Sequence, residues 1–305
     1  DEIFDMRVNR MKSSGIKVPQ DCRTLKDAVE LSGWHTGNGK YAKYANLLKR
    51  FPKIVIGKGE HVVAVVDAED YKDELDDKDD ANITDRGGYL HISSHMNIVG
   101  DTGVPKEEIV VVGGINFNGG IQGNCHLQHL TLRQAKRSGV HGQSSFTMDD
   151  VLVEQCGDSG VFAYGPGVVG RCTNVEVRQC GKSGVAAGNG ASITLIGAKT
   201  TVHHNCTAGR SIDYGLKVCG SYSSTIQLVS PLTKEQVSLD NGGGGNWGAG
   251  GGGDINQIKT IADTFSSVVT SGETKTTTDS TTSFVSNGVL RVPDECSTLI
   301  EAVKQ

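Results

Sequence analysis

The 305-residue chain is predicted to be all-β, a solenoid of parallel strands with an N-terminal capping helix and a Gly/Ser/Thr-rich C-terminal linker. Three observations carry this. Segments 130–140, 151–161 and 175–185 are near copies: Leu-Thr-Leu-Arg-Gln-Ala-Lys-Arg-Ser-Gly-Val, Val-Leu-Val-Glu-Gln-Cys-Gly-Asp-Ser-Gly-Val and Val-Glu-Val-Arg-Gln-Cys-Gly-Lys-Ser-Gly-Val. A looser fourth copy ends in Tyr214-Gly-Leu-Lys-Val218. Aligned on Gly139, Gly160, Gly184 and Gly215, the copies lie 21, 24 and 31 residues apart, and a period in the twenties marks stacked coils rather than a conventional globular core. Each copy is an alternating β-branched run, a Gly turn and a second short apolar run, which together make one coil of strands.

The ends extend the repeat. Residues 18–30, Val-Pro-Gln-Asp-Cys-Arg-Thr-Leu-Lys-Asp-Ala-Val-Glu, match residues 292–304, Val-Pro-Asp-Glu-Cys-Ser-Thr-Leu-Ile-Glu-Ala-Val-Lys, at a constant offset of 274. The expected organisation is one unit of a tandem array. Residues 1–17 are a linker or preceding segment, and 18–264 are the coil, with a helical cap at 18–50 and an acidic loop at 67–86. Residues 265–288 are a Ser/Thr-rich linker, and 289–305 start the next unit.

Within the cap, Leu25, Ala28 and Val29 fall at i, i+3 and i+4 after a Pro and Asp start signal. A helix there covers the open end of a parallel coil, whose strand edges would otherwise meet other chains. Tyr41, Tyr44, Leu47 and Leu48 keep helical spacing and predict a second packed helix. Residues 53–65 form two strands about a Gly turn, the first rung. The acidic run 67–86 reads as a solvated loop, with a divalent-cation site as the alternative, although EF-hand spacing is missing. Strands resume at 90–94, 96–99, 108–114 and 115–117, then follow the copies at 192–196, 225–229 and 236–239. Residues 241–253, with Trp247 among glycines, are too Gly-rich to be fixed cheaply and lack the pattern of a phosphate-binding loop. Residues 254–262 are a last strand or closing helix.

A formal net charge of −5 leaves no basic field of the kind nucleic-acid binding needs. No apolar run is long enough for a membrane-spanning helix, so neither nucleic acid nor direct membrane insertion is expected. The opening Asp1-Glu-Ile-Phe-Asp also lacks the apolar core of a signal peptide.

Strands about 4.8 Å apart put equivalent positions side by side. Arg133, Glu154 and Arg178 then alternate in sign, as do Arg137, Asp158, Lys182 and Asp213, so these charges hold register. Gln134, Gln155 and Gln179 make an amide column, and Ala135, Cys156 and Cys180 another, with Asn205 or Cys206 next. The eight cysteines show no Cys-x-x-Cys and no metal-ligand spacing. Reduced ladder thiols are expected, with disulfides between rungs as the alternative.

Thr24-Leu-Lys-Asp-Ala-Val29, then Ile54-Val-Ile-Gly-Lys-Gly-Glu-His61, then the Val-x-Val-x-x-Cys-x-x-Ser-Gly-Val rungs resemble the pectin-lyase-like right-handed parallel β-helix superfamily. The nearest likeness is to its right-handed β-helix repeat proteins, over residues 18–239. The resemblance implies a right-handed coil and a link to carbohydrate binding and sugar hydrolysis. Its catalytic motifs are not kept: Gly139-Val-His141-Gly is not Gly-His-Gly, no Arg-Ile-Lys occurs, and Asp213-Tyr-Gly-Leu-Lys217 keeps only the Tyr-Gly of the alginate-epimerase signature.

Candidate catalytic residues are Asp149 and Asp150, an acid pair of the kind that divides acid and base work, although strand neighbours point to opposite faces. Arg210, Asp213 and Lys217 join them, in or after the longest turn, where loops tend to carry function. His203-His204 reads as an exposed pair beside a ladder. Phe162, Tyr164, Tyr214 and Tyr222 are candidate ligand-binding rings, because an aromatic side chain can stack on sugar or pack on a neighbouring loop. Asn82 and Asn205 are glycosylation acceptors if the chain is secreted. No resident metal or cofactor is expected apart from a cation at 67–86. The expected function is a non-catalytic structural or carbohydrate-binding module of a large tandem-repeat surface or extracellular protein, its partners polysaccharide or neighbouring repeat units. The alternative is a polysaccharide lyase, hydrolase or epimerase.

Overall fold

The computed structural model describes residues 10–32, 53–63, 88–220 and 222–263. The expected second helix, the acidic loop 67–86, Asn82, and the segments 265–288 and 289–305 lie outside them. The N-terminal coils contain β1 (Ile16–Val18), β2 (Lys53–Ile56), β3 (Gly59–Val62), β4 (Tyr89–Ile92), β5 (Asn97–Gly100), β6 (Ile109–Val112) and β7 (Gly114–Phe117). The repeated stretch contains β8 (Cys125–Arg133), β9 (Val140–Gly142), β10 (Phe146–Glu154), β11 (Val161–Tyr164), β12 (Val169–Thr173), β13 (Glu176–Arg178), β14 (Val185–Gly188), β15 (Ser192–Ile196) and β16 (Thr201–His203). Then come β17 (Leu216–Cys219), β18 (Thr225–Val229), β19 (Ser238–Leu239), β20 (Trp247–Gly250) and β21 (Ile258–Ile261).

Every pairing among these strands is parallel. They form a seven-stranded sheet, β4-β7-β9-β11-β14-β17-β20, and a fourteen-stranded one. The larger sheet has two rows, β1-β2-β5-β8-β10-β12-β15-β18-β21 and β3-β6-β8-β10-β13-β16-β19, because β8 and β10 run through both. From β4 onward each turn of chain visits the small sheet, the first row and then the second, which is the expected parallel β-helix.

The corners explain several sequence features. Gly113, Gln134, Gln155, Gln179, His204 and Asp240 occupy one corner column, all at positive φ, between 52° and 121°. His129, Asp150 and Asn174 repeat the device at the bend between the two rows, with φ of 51–53°. Such backbone costs a non-glycine residue about 1–2 kcal/mol, and each corner has to meet that cost once per coil. The Gln column, anticipated as an amide ladder, is therefore first a column of left-handed corners. One amide contact runs along it, from Gln155 Nε2 to Gln179 Oε1 at 3.4 Å.

The repeated glycines are needed for space, not for left-handed backbone. A Cβ on Gly139 would lie 2.5 Å from Val153 Cγ1 and 2.9 Å from Gly160 O, and one on Gly160 would lie 2.8 Å from Gly184 O. Inside the coil, Val140, Val161, Val185 and Leu216 stack in register, as do Leu132, Val153, Val177 and Val202, and all are buried. Phe117 and Phe146 stack with ring centroids 5.7 Å apart.

Helix α1 (Leu25–Ser32) buries Leu25, Ala28 and Val29 as expected and packs over β1 and β2. Thr24 Oγ1 caps it by accepting the Asp27 N–H at 3.0 Å. Two boundaries need correction. Residues 16 and 17, assigned to a linker, belong with Val18 to β1, and Ile16 and Val18 are fully buried. The Gly-rich 241–253 stretch holds β20, bonded in register to β17. Helix α2 (Lys234–Val237) stands where a longer strand was expected, and β21 answers the strand-or-helix alternative as strand.

The first charge ladder forms as expected: Arg133 Nε and Arg178 Nη2 lie 2.6 and 2.7 Å from the two oxygens of Glu154, which is 4 % exposed. Burial pushes the Glu154 carboxyl up, but hydrogen bonds and charge from Arg178 and Arg133 outweigh it and hold it below the usual range. As pH falls, the unfolded chain takes up this proton first. The ladder's contribution is therefore present above about pH 4.5 and is lost as pH drops through the lower folded value. Thermal melting should show Tm falling on acidification below about pH 4.5, with a shallower fall in Glu154→Gln. Chemical denaturation should show Gly160→Ala costing about 1–3 kcal/mol by overpacking, and Phe146→Ala about 3–5 kcal/mol.

Candidate functional site

Outward-facing positions on the seven-stranded sheet form one column through His91, Asn116, His141, Phe162, Ala186, Lys217 and Gly248. Its first half is a strip of rings. The His141 and Phe162 planes are 4° apart with centroids at 5.4 Å. Tyr89 stands 6.0 Å from His141 and 6.3 Å from His91, and Tyr164 stands 5.6 Å from Phe162. The rings lie down because the sheet offers glycines beside them: a Cβ on Gly114 would lie 2.7 Å from the Tyr89 ring, and one on Gly188 would lie 3.1 Å from the Phe162 ring.

Burial holds the His141 pKa below its usual value, with the Arg137 and His91 charges adding to it, so the ring is neutral at pH 7. Burial also pushes the Tyr89 phenol up, although its oxygen accepts the Ser138 N–H at 3.0 Å. Tyr164, at the strip's outer edge, is 44 % exposed, and Tyr222 is 62 % exposed. Tyr222 and Pro166 flank Gly190, where a Cβ would stand 3.4 Å from Tyr222 Cβ and 3.2 Å from Pro166 Cα.

Of the expected ligand-binding rings, Phe162 and Tyr164 are on this strip, and Tyr222 stands beside Gly190. Tyr214 differs: its ring lies over Gly244 and Gly248 of the next coil, in the position a Cβ would take at either glycine. Tyr89, His91, Asn116 and His141 were not anticipated. His141 could have been found, since it takes the place of Phe162 in the aligned copies. Tyr89, His91 and Asn116 belong to coils without the Cys and Ser-Gly marks that allow alignment.

Three expected catalytic residues do converge, at the other end of the column. Asp213 is 3 % exposed, its Oδ1 accepts from Lys217 Nζ at 3.0 Å, and its Oδ2 lies 3.7 Å from Arg210 Nε. Oδ2 has no hydrogen-bond partner among the described residues. The second ladder ends here: Lys182 pairs with Asp158 at 2.8 Å, whereas Asp213, one coil on, turns to Lys217. Burial, together with the Asp213 charge, pushes the Cys206 thiol up to about 12.

The structure separates the Asp149 and Asp150 side chains. Asp149 Oδ2 accepts from Gln128 Nε2 at 3.4 Å, while Asp150, on the left-handed bend, meets Lys106 Nζ and His129 Nδ1, each at 2.7 Å. Burial works against the Asp150 charge, but Lys106 and His129 prevail and hold its carboxyl below the usual range. This is a pin for the 101–108 turn, since His129 Nε2 also donates to Val104 O at 2.8 Å. His203 bonds His204 at 2.8 Å and lies 3.3 Å from Glu176.

Asn205 is corrected as a glycosylation acceptor. It is 1 % exposed, and its Nδ2, with two hydrogens to give, lies 3.0–3.1 Å from Val177 O, His203 O and Asn241 Oδ1, while Oδ1 accepts from Cys180 N. It is the residue that follows Cys180 in the inner column. Cys156, Cys172, Cys180, Cys206 and Cys219 are free thiols. Among the described residues no three His, Cys, Asp or Glu side chains are grouped to hold a metal ion, and no helix is long and apolar enough to cross a membrane.

Asp213→Ala should destabilise the coil by about 3–5 kcal/mol, because Lys217 is left largely buried without its counter-charge. Asp213→Leu combined with Lys217→Met should recover most of that loss; denaturation of the two single variants and the double variant measures the coupling. No family model, no curated protein and no solved structure matches the chain.

Proposed function

We propose that this chain is a non-catalytic carbohydrate-binding β-helix module that takes a polysaccharide on the outer face of its seven-stranded sheet. The observation that carries the reading is the strip of rings through Tyr89, His141, Phe162 and the exposed Tyr164. Rings of this kind combine an apolar face with a polar tip, which suits the C–H faces and hydroxyls of sugars. The proposal extends to a pectin-lyase-like right-handed β-helix repeat unit, one of a tandem series in a surface or extracellular protein. There, neighbouring units would continue the same face and add their sites in series.

Binding to immobilised plant and algal polysaccharides, followed by titration with the best oligosaccharide, tests the proposal. Tyr164→Ala and Tyr222→Ala should each weaken affinity by about tenfold with Tm unchanged. Binding unaffected by both replacements would remove the carbohydrate half of the reading and leave a scaffold.

The Arg210, Asp213 and Lys217 cluster favours a second reading, a polysaccharide lyase, hydrolase or epimerase. Against its hydrolase form, among the described residues Asp213 meets Arg210 and Lys217 and no second carboxylate, and two are the usual requirement for glycoside hydrolysis. Assays of new reducing ends and of unsaturated uronate separate the readings. The module should give no product, and product formation abolished by Lys217→Met would establish the enzyme.

A further inference from the structure

In β8 and β10 the chain passes from the first row to the second through a single left-handed residue, His129 and Asp150 respectively, whereas between β5 and β6 it takes the whole of 101–108. This longer turn lies against the bend side chains of the next two coils. Asp150 Oδ1 accepts from Lys106 Nζ at 2.7 Å, Asp150 Oδ2 from His129 Nδ1 at 2.7 Å, and Val104 O from His129 Nε2 at 2.8 Å. The turn starts with Asp101 N donating to Ile56 O at 2.8 Å, and near its end Lys106 O accepts from Thr131 Oγ1 at 3.0 Å. Between these two holds, His129 fastens the carbonyl of Val104, whose side chain packs on the core.

Both partners of His129 are acceptors. A backbone carbonyl has no hydrogen to give, and the Asp150 carboxylate keeps its charge beside the Lys106 ammonium. Each ring nitrogen therefore carries a hydrogen, and the ring in this geometry is the imidazolium. Turning the ring over would set carbon atoms at both contacts, and either neutral tautomer would leave a lone pair facing an oxygen.

We propose that His129 is a pH-dependent latch on the 101–108 turn: the imidazolium fastens Val104 to the bend, and the neutral ring keeps its bond to Asp150 and lets Val104 go. A neutral imidazole has one N–H, and the ionised carboxylate is the stronger acceptor for it. The bare nitrogen is then Nε2, whose lone pair opposes the Val104 carbonyl. The turn loosens there, while Lys106 stays held by Asp150 and Thr131.

The charges about the ring favour the latched form. Burial and the Lys106 charge work against the cation, but the hydrogen bonds to Asp150 and Val104 and the Asp150 charge outweigh them and raise the His129 pKa above its ordinary 6.5. The other acids nearby are engaged or exposed: Asp149 accepts from Gln128, Asp101 from Gly103 N, Glu108 pairs with Lys58, and Glu107 is exposed. Gly100 of β5, packed against the His129 carbonyl, brings no charge. Because the folded value is the higher one, the latch contributes fully below about pH 6.5 and is lost as pH rises through the folded pKa.

Nitrogen-15 NMR of the histidine rings and amide hydrogen exchange of the intact chain, both titrated across neutral pH, test the latch. His129 should stay doubly protonated to a pH above 6.5. The Val104 and Glu108 amides, which close the turn on Asp101 O and Pro105 O, should lose about tenfold in protection across that same midpoint, once the intrinsic pH dependence of exchange is divided out. Asn tolerates left-handed backbone, so Asp150→Asn and His129→Asn keep the bends. Asp150→Asn should move the His129 midpoint to lower pH and carry the loss of protection with it. His129→Asn should leave the turn weakly protected at every pH. A His129 midpoint at or below 6.5, or turn protection that does not follow that midpoint, overturns the proposal; a merely structural His129 would titrate without moving the turn. Where a variant fails to fold, the wild-type titration decides alone.

Discussion

Parallel strands bonded in register set every position of one coil against the same position of the next, and the rest of this structure follows from that constraint. A residue suited to its place in one coil has to be compatible with a near-identical neighbour above and below it. The Gly139, Gly160, Gly184 and Gly215 column meets this condition by having no Cβ, which lets a carbonyl of the next coil approach to 2.8–2.9 Å of where one would be, as at Gly139, Gly160 and Gly184. The Gln134, Gln155 and Gln179 column meets it by sharing one unfavourable backbone conformation. Valines stacked on valines meet it by filling equal volumes, which is how a close-packed interior is built from a short repeat.

Like charges in such a column would repel, and the chain avoids this by alternating sign. Glu154 between Arg133 and Arg178 is more than a surface pair, because its side chain is almost fully covered while both guanidinium groups still reach water. Exposed pairs are worth about 0–1 kcal/mol; a covered carboxylate with two partners is held more tightly and is correspondingly harder to replace. The inner column runs on from Cys180 to Asn205 and Asn241, whose amides satisfy backbone groups at the point where the chain begins its longer loops. A thiol has too weak a donor for that task.

The same constraint separates the faces of the coil. The rows of the large sheet carry paired charges and left-handed bends that hold register, as in the Lys106, Asp150 and His129 pin. The small sheet carries rings and glycines that let rings lie flat. The rings follow one another from coil to coil along it. At its far end Asp213 breaks the alternating ladder by turning to Lys217, so the strip stops at a closed ion pair.

By itself the sequence determined the parallel coil, its register and the charge ladder, because these depend on spacing, and spacing survives in an aligned repeat. It also placed Phe162 and Tyr164 together and marked Arg210, Asp213 and Lys217 as neighbours along the chain. Only the tertiary structure decided which side chains are covered and by what. Asn205 carries an acceptor sequon and is buried; Tyr214 matches Ser183 in the repeat, but its ring lies on glycines of the following coil. Residues 241–253 resemble a floppy loop and become a rung once β17 lies beneath them. The physical reason is that burial and close approach are set by the coil above and the coil below, up to thirty-one residues away in the aligned stretch, whereas a sequence pattern records only what each residue has beside it.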